Sequence, residues 1–462
     1  MSPRNGLRRS AVAATALAAG AAVVAISASA SGAKVPALTT AASSRPANQI
    51  SILMYGDAQN TVEKWVVQQY NATAMGKQVP AKITYIPGAD YQQKLQTVMS
   101  TPNAPDLFFN WGGGSILQFQ KAGLLLPLNQ MMQQNPKLKN SFLPSVLNAA
   151  KVGNNYYGIP MRGTQPVFLY YNKKVLKADH VSVPKTFPQL ISASKKLAKA
   201  GVQVPIALGG GDQWPTLMWY EYIYDRVAGP SLVTDALAGK SSVWNSSASK
   251  TALGDLKELI KSGAFGPAKS WDSIKFTTNQ TAELMVDNQS GFELMGSWYY
   301  STIQGLGSTA KGTAAPNGPG ATFAKSQLGW TTFPTVPGGK GNGSDLAGNT
   351  ENYYSVLKNT RYPDAVADFL KIMYSTSFLK KELALGNLTT TKNTGSLISG
   401  PQSGYLKYTL NAVSKAKAFQ LSWDQAWPQT NTTLIHTTVA NYFDDLNAGA
   451  FIKAFSSLKA AG

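Results

Sequence analysis

Two histidines and no cysteine limit the chemistry that this 462-residue sequence can perform. Without cysteine there is no disulfide, no thiol nucleophile, no thiolate-bound zinc and no iron–sulfur cluster. His180 follows Lys-Ala-Asp, and His436 lies in a threonine-rich segment that we predict to be helical. We interpret both as surface or packing residues rather than members of a Ser–His–Asp triad. We therefore expect no catalytic residue, no metal site and no cofactor.

Paired carboxylates are the second kind of chemistry to consider, because the chain has 23 acidic residues. A glycoside hydrolase needs two carboxyl groups about 5–10 Å apart. Asp444 and Asp445 are adjacent on a predicted helix, and neighbouring helical side chains diverge. They make a poor pair, yet a secreted polysaccharide-active enzyme stays open as the alternative interpretation.

Glycine-rich turns carry a third set of candidates. Gly209-Gly210-Gly211 precedes Asp212-Gln213-Trp214 but lacks the Lys-Ser/Thr of a phosphate-binding loop, which argues against a nucleotide site. Trp111 precedes three glycines that include Gly113, and glycine lets a backbone approach a ligand closely. A tryptophan placed there either stacks on the apolar face of a sugar ring or packs in the core.

The charge balance suggests nucleic-acid binding as an alternative function, since 42 basic and 23 acidic residues give a formal net charge of +19. The lysines are scattered, however, and the longest clusters are pairs such as Lys195-Lys196. Charged residues make up 14% of the chain, against roughly 25% in average domains. We interpret the excess as a surface property suited to anionic cell-wall polymers and expect no nucleic-acid partner.

The N-terminal segment has the pattern of an export signal. Three arginines in residues 1–10 precede an apolar, alanine-rich run at 11–26 and the small-x-small site Ala28-Ser29-Ala30. We predict a signal peptide at 1–33 and a disordered linker at 34–47. The protein is then extracellular, at the cell surface or in a periplasm, and it is not a lipoprotein because no cysteine can carry the lipid.

Strand and helix patterns alternate from residue 50 onward, which predicts an α/β fold. The predicted strands cover 50–55, 81–87, 106–110, 166–172, 204–208, 292–295 and 353–357. Asn60 and Glu63 resemble a capping box, Thr186 a helix cap, and Pro215 and Pro363 helix starts. The glycine-rich segments 307–321 and 334–350 are predicted loops, and the chain beyond about 377 is predicted to be mainly helical.

Several short motifs occur in a characteristic order along the chain. They include Gly88-Ala89-Asp90-Tyr91, Ala104-Pro105-Asp106-Leu107, Trp111-Gly112-Gly113, Tyr157-Gly158-Ile159-Pro160, Tyr171-Asn172-Lys173 and Gly296-Ser297-Trp298. No single motif is specific, but their order from about 50 to 380 resembles the extracellular solute-binding proteins of ABC sugar importers, the maltose-binding-protein-like family 1. The resemblance implies a monomer that captures an oligosaccharide and delivers it to the importer's permease subunits.

The resemblance also implies a two-lobed periplasmic-binding-protein fold of type II, with a hinge and a helical C-terminal tail. On this basis we predict a first lobe at 48–162 and 330–378 and a second lobe at 163–329 and 379–462. The chain should cross between the lobes near 160–166, 326–332 and 376–382.

Ligands of open α/β sheets lie beyond the carboxyl ends of the strands. Asp57 follows the first predicted strand and can accept hydrogen bonds from sugar hydroxyls. Trp298 matches a family position that commonly stacks on sugar, and Tyr299 beside it is a weaker candidate. Arg162 lies at the implied hinge, where it either donates paired bonds to a ligand or forms a structural ion pair.

Other candidates lie on predicted helices. Trp214 and Glu221 follow the second glycine turn, where the indole can stack and the carboxylate can bind hydroxyls. Trp423 and Trp427 lie in the tail, which in relatives folds back on the second lobe, so we expect one of them at the cleft. Glu351-Asn352 are candidate polar contacts before a strand. The number of aromatic candidates predicts a ligand of two or more rings.

Overall fold

The computed structural model describes residues 48–57, 60–307 and 318–460. The predicted signal peptide (1–33) and linker (34–47) lie outside the described residues. Within those residues, no helix combines the length and apolar character needed to cross a bilayer.

The strands of the described residues form two main sheets and one hairpin. In chain order they are β1 (Ile50–Gly56), β2 (Ala81–Pro87), β3 (Leu107–Asn110), β4 (Lys151–Val152), β5 (Asn155–Tyr156), β6 (Ile159–Pro160), β7 (Gln165–Asn172), β8 (Ile206–Ala207), β9 (Phe292–Gly296), β10 (Leu328–Thr331), β11 (Leu346–Asn349), β12 (Tyr353–Val356) and β13 (Phe419–Leu421).

Helices fill the intervals between these strands. In chain order they are α1 (Asn60–Asn71), α2 (Ala74–Gln78), α3 (Gly88–Met99), α4 (Gly114–Lys121), α5 (Asn129–Gln134), α6 (Pro136–Ser141), α7 (Pro144–Asn148), α8 (Lys173–Ala178), α9 (Phe187–Lys199), α10 (Trp214–Ala228), α11 (Ser231–Leu237), α12 (Ser247–Lys261), α13 (Gln280–Val286), α14 (Tyr299–Gly305), α15 (Pro319–Ser326), α16 (Pro363–Ile372), α17 (Thr376–Leu385), α18 (Thr394–Leu397), α19 (Ser403–Lys415), α20 (Trp423–Ala426), α21 (Thr432–Asp445) and α22 (Ala448–Ser456). Short 3-10 turns lie at Gly210–Asp212, Ser241–Asn245, Ser270–Ser273 and Gln429–Asn431.

Local sequence signals explain several helix starts. Thr186 caps α9 as predicted: its hydroxyl accepts from the Gln189 N–H, and the Gln189 side chain accepts from the Thr186 N–H. The capping box predicted at Asn60 does not form. The Asn60 side chain instead accepts from the Asp57 N–H at 2.8 Å and donates to the Tyr55 carbonyl, while Glu63 pairs with Arg162.

The first sheet has the strand order β2-β1-β3-β12-β6. β1 is parallel to β2 and β3, whereas β12 is antiparallel to both β3 and β6. Ile50, Met54, Leu107 and Phe108 have no measurable exposure, as expected where helices cover both faces of a parallel sheet. This sheet and the helices packed on it form the first lobe.

The second sheet has the order β13-β11-β7-β9-β8, with β10 also paired to β7. β7 is its central strand, and its residues Val167, Phe168, Leu169 and Tyr170 are fully buried. β11 lies inside the predicted loop 334–350, so that prediction is wrong there. β11 has four residues, two of which are Gly348 and Asn349, and this is too short to show a strand period.

Three passages connect the lobes, and two of them differ from the predicted positions. The chain first leaves β6 for β7 through residues 161–164. It returns between β11 and β12 rather than at 326–332, because β10 and β11 both pair with β7. The third passage lies after 391 rather than at 376–382: Thr391 still bridges Phe142 of the first lobe, and Tyr405 already packs in the second-lobe core.

The C-terminal helices complete the second lobe. α10 is buried around almost its whole circumference, which is typical of a helix enclosed by other helices. α22 provides part of that enclosure, since the ring of Phe451 lies 4.6 Å from that of Tyr220. α21 packs on the neighbouring helix α12, where Tyr442 donates to the Leu253 carbonyl. The tail therefore folds back on the second lobe, as the resemblance implied.

Candidate functional site

The carboxyl ends of parallel strands gather the candidate residues at one edge of each sheet. β1 and β3 are parallel, so the turn after β1 with Asp57 and the loop after β3 with Trp111 leave the same edge of the first lobe. In the second lobe β8 and β9 are parallel. The turn that carries Trp214 and the segment that carries Trp298 therefore leave one edge of that sheet.

An ion-pair network organises the first-lobe edge. The buried Arg162 guanidinium contacts both carboxylate oxygens of Asp57, at 2.6 and 3.1 Å, and its Nε lies 2.7 Å from Glu63 Oε1. The Asp57 side chain keeps 26% of its exposure, whereas Arg162 and Glu63 keep 2% each. Of the two interpretations of Arg162, the structural ion pair is thus the one that forms, and Asp57 remains at the surface.

An aromatic cluster holds Trp111 at the same edge. Its ring centroid lies 4.8 Å from that of Phe109, 5.6 Å from that of Tyr55 and 5.9 Å from that of Tyr91, and each contact is edge to face. Such contacts fix the orientation of a large ring. Trp111 itself remains half-buried, so part of its surface is available at the end of β3.

The second-lobe edge brings two predicted tryptophans together. Trp214 and Trp298 are both half-buried, with ring centroids 6.2 Å apart. Phe276, which sequence reasoning missed, packs edge to face on Trp214 at 5.4 Å. Asp212 fixes the underlying turns by accepting from the N–H and hydroxyl of Thr277 at 2.8 and 2.7 Å.

Electrostatics links the two edges through Tyr55. Burial raises the pKa of Tyr55 first, and the charges of Asp57, Asp212 and Asp424 raise it further, while Arg162 opposes them. Asp212 and Asp424 belong to the second lobe. Charges of both lobes therefore act on this first-lobe phenol, because Coulomb interactions are weakly screened in a protein interior.

The glycines after Trp111 accommodate the tail of the chain. A Cβ atom on Gly113 would lie 2.7 Å from Leu421 Cδ2 and 3.1 Å from the Gln425 carbonyl oxygen, and one on Gly114 would lie 2.1 Å from the Trp427 carbonyl oxygen. Gly113 therefore packs against the second lobe, in contrast to the predicted ligand contact. A hydrogen bond of 2.7 Å from Gln118 to Gln429 extends this interlobe contact.

Four other predicted contacts lie in the core. Glu221, Tyr299, Trp423 and Trp427 are exposed by 1% or less. Glu221 accepts from the Ser422 hydroxyl and the Trp423 N–H, and burial raises its pKa to about 8. Trp423 and Trp427 pack on Trp244 at 5.3 and 6.0 Å. The structure assigns all four to packing, against the prediction: α10 and the tail enclose Glu221, Trp423 and Trp427, whereas Tyr299 of α14 packs on Tyr170 of β7 at 4.8 Å.

One carboxylate connects the first two interlobe passages with the segment that precedes the third. Glu351 Oε1 accepts from the backbone N–H groups of Arg162, Gly163 and Asn352, and Oε2 accepts from the Thr390 hydroxyl at 2.7 Å. Arg162 belongs to the first passage, Glu351 to the second and Thr390 to the segment before the third. Burial raises the pKa of Glu351, although these hydrogen bonds oppose the rise. The acid at 351, predicted only as a polar contact, is a structural centre of the hinge.

No group of three or more His, Asp or Glu side chains is arranged to hold a metal ion within the ranges that the structure describes. The site consists of aromatic surfaces and hydrogen-bonding groups at two facing edges, an arrangement suited to binding.

Comparison with known proteins supports a binding fold. Among curated relatives, an uncharacterised ABC transporter extracellular-binding protein of Pyrococcus horikoshii is 27% identical over 214 residues, 46% of each chain. The osmoprotective compounds-binding protein of Synechocystis is 23% identical over 188 residues, 40% of this chain and 43% of the relative. The chain thus spans less than half the length of these relatives.

Solved structures match the whole described fold. A protein from a study of xylan utilisation by Caldanaerobius polysaccharolyticus gives a TM-score of 0.76 at 24% identity, covering 88% of this chain and 99% of the other. A chitin oligosaccharide binding protein gives 0.72 at 23% identity, covering 88% and 98%. These similarities confirm the two-lobed α/β fold.

A family model described as "Bacterial extracellular solute-binding protein" matches residues 55–377, well over half of the chain. This match confirms the resemblance noted in the sequence, and it agrees with the prediction of a receptor rather than an enzyme. The chain belongs to the bacterial extracellular solute-binding protein family.

Proposed function

We propose that this protein captures an oligosaccharide between its lobes and delivers it to the permease of an ABC importer. The observation that carries the proposal is the distribution of tryptophans: Trp111 at the first-lobe edge, Trp214 and Trp298 at the second. All three are half-buried and follow strand ends, where ligands of α/β sheets bind.

The chemistry of a neutral sugar fits these edges. Its C–H faces suit indole rings, and its hydroxyls suit carboxylates such as Asp57. Solved neighbours include a chitin oligosaccharide binding protein and a binding protein in complex with raffinose, which supports an oligosaccharide as the ligand class. Closure of the two lobes over such a ligand provides the shape that a permease recognises.

The proposal extends to location and assembly. The family is extracellular, and the basic, alanine-rich residues 1–33 supply an export signal followed by a linker at 34–47. We propose a monomer that works outside the cytoplasmic membrane, with the oligosaccharide and the permease as its partners.

A thermal-shift screen against xylo-, cello-, malto- and chito-oligosaccharides tests the ligand class. We expect at least one series to raise the melting temperature, because a ligand that binds only the folded state stabilises it. Trp298→Ala should weaken that sugar at least tenfold, equivalent to about 1.4 kcal/mol, with little change in the ligand-free melting temperature.

The matched control is Trp65→Ala. Trp65 is a half-buried tryptophan on α1, with its ring under the Lys381 ammonium, and it lies outside the proposed site. Its loss should leave sugar affinity unchanged. The absence of a shift with every sugar would contradict the proposed ligand class, and unchanged affinity of Trp298→Ala would remove Trp298 from the site.

A further inference from the structure

The tail helix α20 presents a carboxylate with one oxygen held and one oxygen unsatisfied. Asp424 Oδ2 lies 2.9 Å from His436 Nε2 of α21. The two side chains are 11% and 18% exposed. Asp424 Oδ1 is buried and has no hydrogen-bond partner among the residues that the structure describes. Such an oxygen carries a desolvation cost that a suitable donor would relieve.

The position of α20 places this carboxylate beside the interlobe space. The neighbouring residue Gln425 contacts the glycine loop that follows Trp111. The charge of Asp424 also contributes to the raised pKa of Tyr55 in the first lobe. Asp424 therefore lies at the boundary between the second-lobe core and the first lobe, next to the interlobe contact.

The missing partner defines the ligand chemistry. A sugar hydroxyl supplies the O–H donor that Asp424 Oδ1 lacks, and hydrogen bonds to a charged acceptor are strong. The surrounding charge is negative even though the whole chain carries +19. Asp57 and Glu63 share one guanidinium, and among the described residues Asp212 accepts hydrogen bonds from Thr277 and forms no ion pair. A ligand carboxylate would therefore meet like charges at close range.

We propose that Asp424, oriented by His436, is a specificity-determining residue of the second lobe: it accepts a hydroxyl hydrogen of an uncharged oligosaccharide and repels acidic sugars. The inference rests on the proposed function and assigns a preference within it. The role of His436 is to hold Oδ2, so that Oδ1 points to the ligand rather than rotating with the carboxylate.

Calorimetric titration with matched sugars tests this proposal. The neutral oligosaccharide with the largest thermal shift is compared with a uronic-acid counterpart of equal length. We expect the wild-type protein to bind the neutral sugar at least tenfold more tightly. Asp424→Asn should weaken the neutral sugar several-fold and shrink the neutral-to-acidic ratio, without lowering the ligand-free melting temperature.

Four further variants separate specificity from folding and from global charge. Asp445→Asn removes the same charge from an exposed tail position and should change neither affinity nor ratio. Asp424→Glu keeps the charge but displaces it, so the ratio should persist while neutral affinity falls. His436→Gln, which retains an N–H donor, should preserve more of the neutral affinity than His436→Phe.

The outcomes distinguish this inference from the proposed function. If no neutral sugar binds the wild-type protein, the proposed function itself fails. If neutral sugars bind and Asp424→Asn keeps both the wild-type affinity and the wild-type ratio, only the role of Asp424 fails. Should Asp424→Asn not fold, Asp424→Glu and the His436 pair decide the question by the same two quantities.

Discussion

Charged side chains are handled in opposite ways at the two lobe edges. At the first-lobe edge Arg162 forms ion pairs with two carboxylates, those of Asp57 and Glu63. At the second-lobe edge Asp212 is held by Thr277 and Asp424 by His436, and among the described residues neither forms an ion pair with lysine or arginine. The first arrangement neutralises its carboxylates with a cation of the same lobe edge, whereas the second leaves carboxylates that, in our proposal, accept hydrogen bonds from a ligand.

The largest effect should come from breaking the first-lobe network. Arg162→Ala strands the buried Glu63 carboxylate, and loss of one partner of a buried pair costs about 3–5 kcal/mol. Urea unfolding measures this loss of stability. Adding Glu63→Gln should recover part of it, because the uncompensated charge is removed. Arg361→Ala, at an exposed position, should cost under about 1 kcal/mol; an equal cost at both arginines would contradict the network.

The second-lobe core contains a buried acid, Glu221, whose titration should make the free energy of unfolding depend on pH. Burial raises the pKa of Glu221 from 4.5 to about 8, with the charge of Asp424 adding to the rise. The folded state then binds a proton that the unfolded chain has already lost. The contribution of this group is complete below pH 4.5 and declines as the pH rises toward 8, by up to about 1.4 kcal/mol per pH unit.

Glu221→Gln isolates that contribution. Its free energy of unfolding should fall less steeply than the wild-type value between pH 5 and 8, because the amide does not titrate. Glu258→Gln, at an exposed position on α12, serves as the control. Parallel curves for the wild-type protein and Glu221→Gln would show that Glu221 does not titrate as its burial requires.

The smallest effect concerns the interlobe contact at the glycine loop. Gly113 and Gly123 both have positive φ angles, +51° and +69°, but only Gly113 has atoms within 4 Å of an added Cβ. Alanine costs about 1 kcal/mol of backbone strain at Gly123 and about 1–3 kcal/mol at Gly113, whose φ of +51° and ψ of −130° lie in a region that favours glycine. Gly113→Ala should therefore lose at least about 1 kcal/mol more in urea unfolding, through this strain and the displacement of Leu421 and α20. Equal losses of stability for Gly113→Ala and Gly123→Ala would mean that Leu421 and α20 move aside without an energetic cost.

The fold was largely predictable because buried strands are continuous apolar runs. β2 matches its prediction at both ends, and β7 and β9 each differ by one residue. β11 could not be predicted, because four residues inside a glycine-rich segment show no period. That missed strand also explains the misplaced second passage: with β11 assigned to a loop, the return to the first lobe was placed too early.

Residue type and position after a strand predicted the candidate site residues, but the sequence did not predict which of them are buried in the core. Trp111, Trp214 and Trp298 follow strand ends, and that position marks them as candidates. Trp423 and Trp427 have the same chemistry, yet they lie inside the second lobe, where enclosure depends on helices distant in sequence. One signal was available for Glu221: α10 has almost no polar face, which is typical of a fully enclosed helix. No sequence pattern marked Asp424, because its proposed role depends on its contact with His436 and on its position beside the opposite lobe.

The enclosure of α10 by the tail also bears on how the protein is made. β12 joins the first sheet only after residue 353, and Phe451 and Phe455 pack around Tyr220 near the C-terminus. Neither core can therefore close until most of the chain has left the ribosome, and such distant contacts form slowly. Until then both lobes expose the apolar surface that their cores later bury, and a large chain in that state is prone to aggregate.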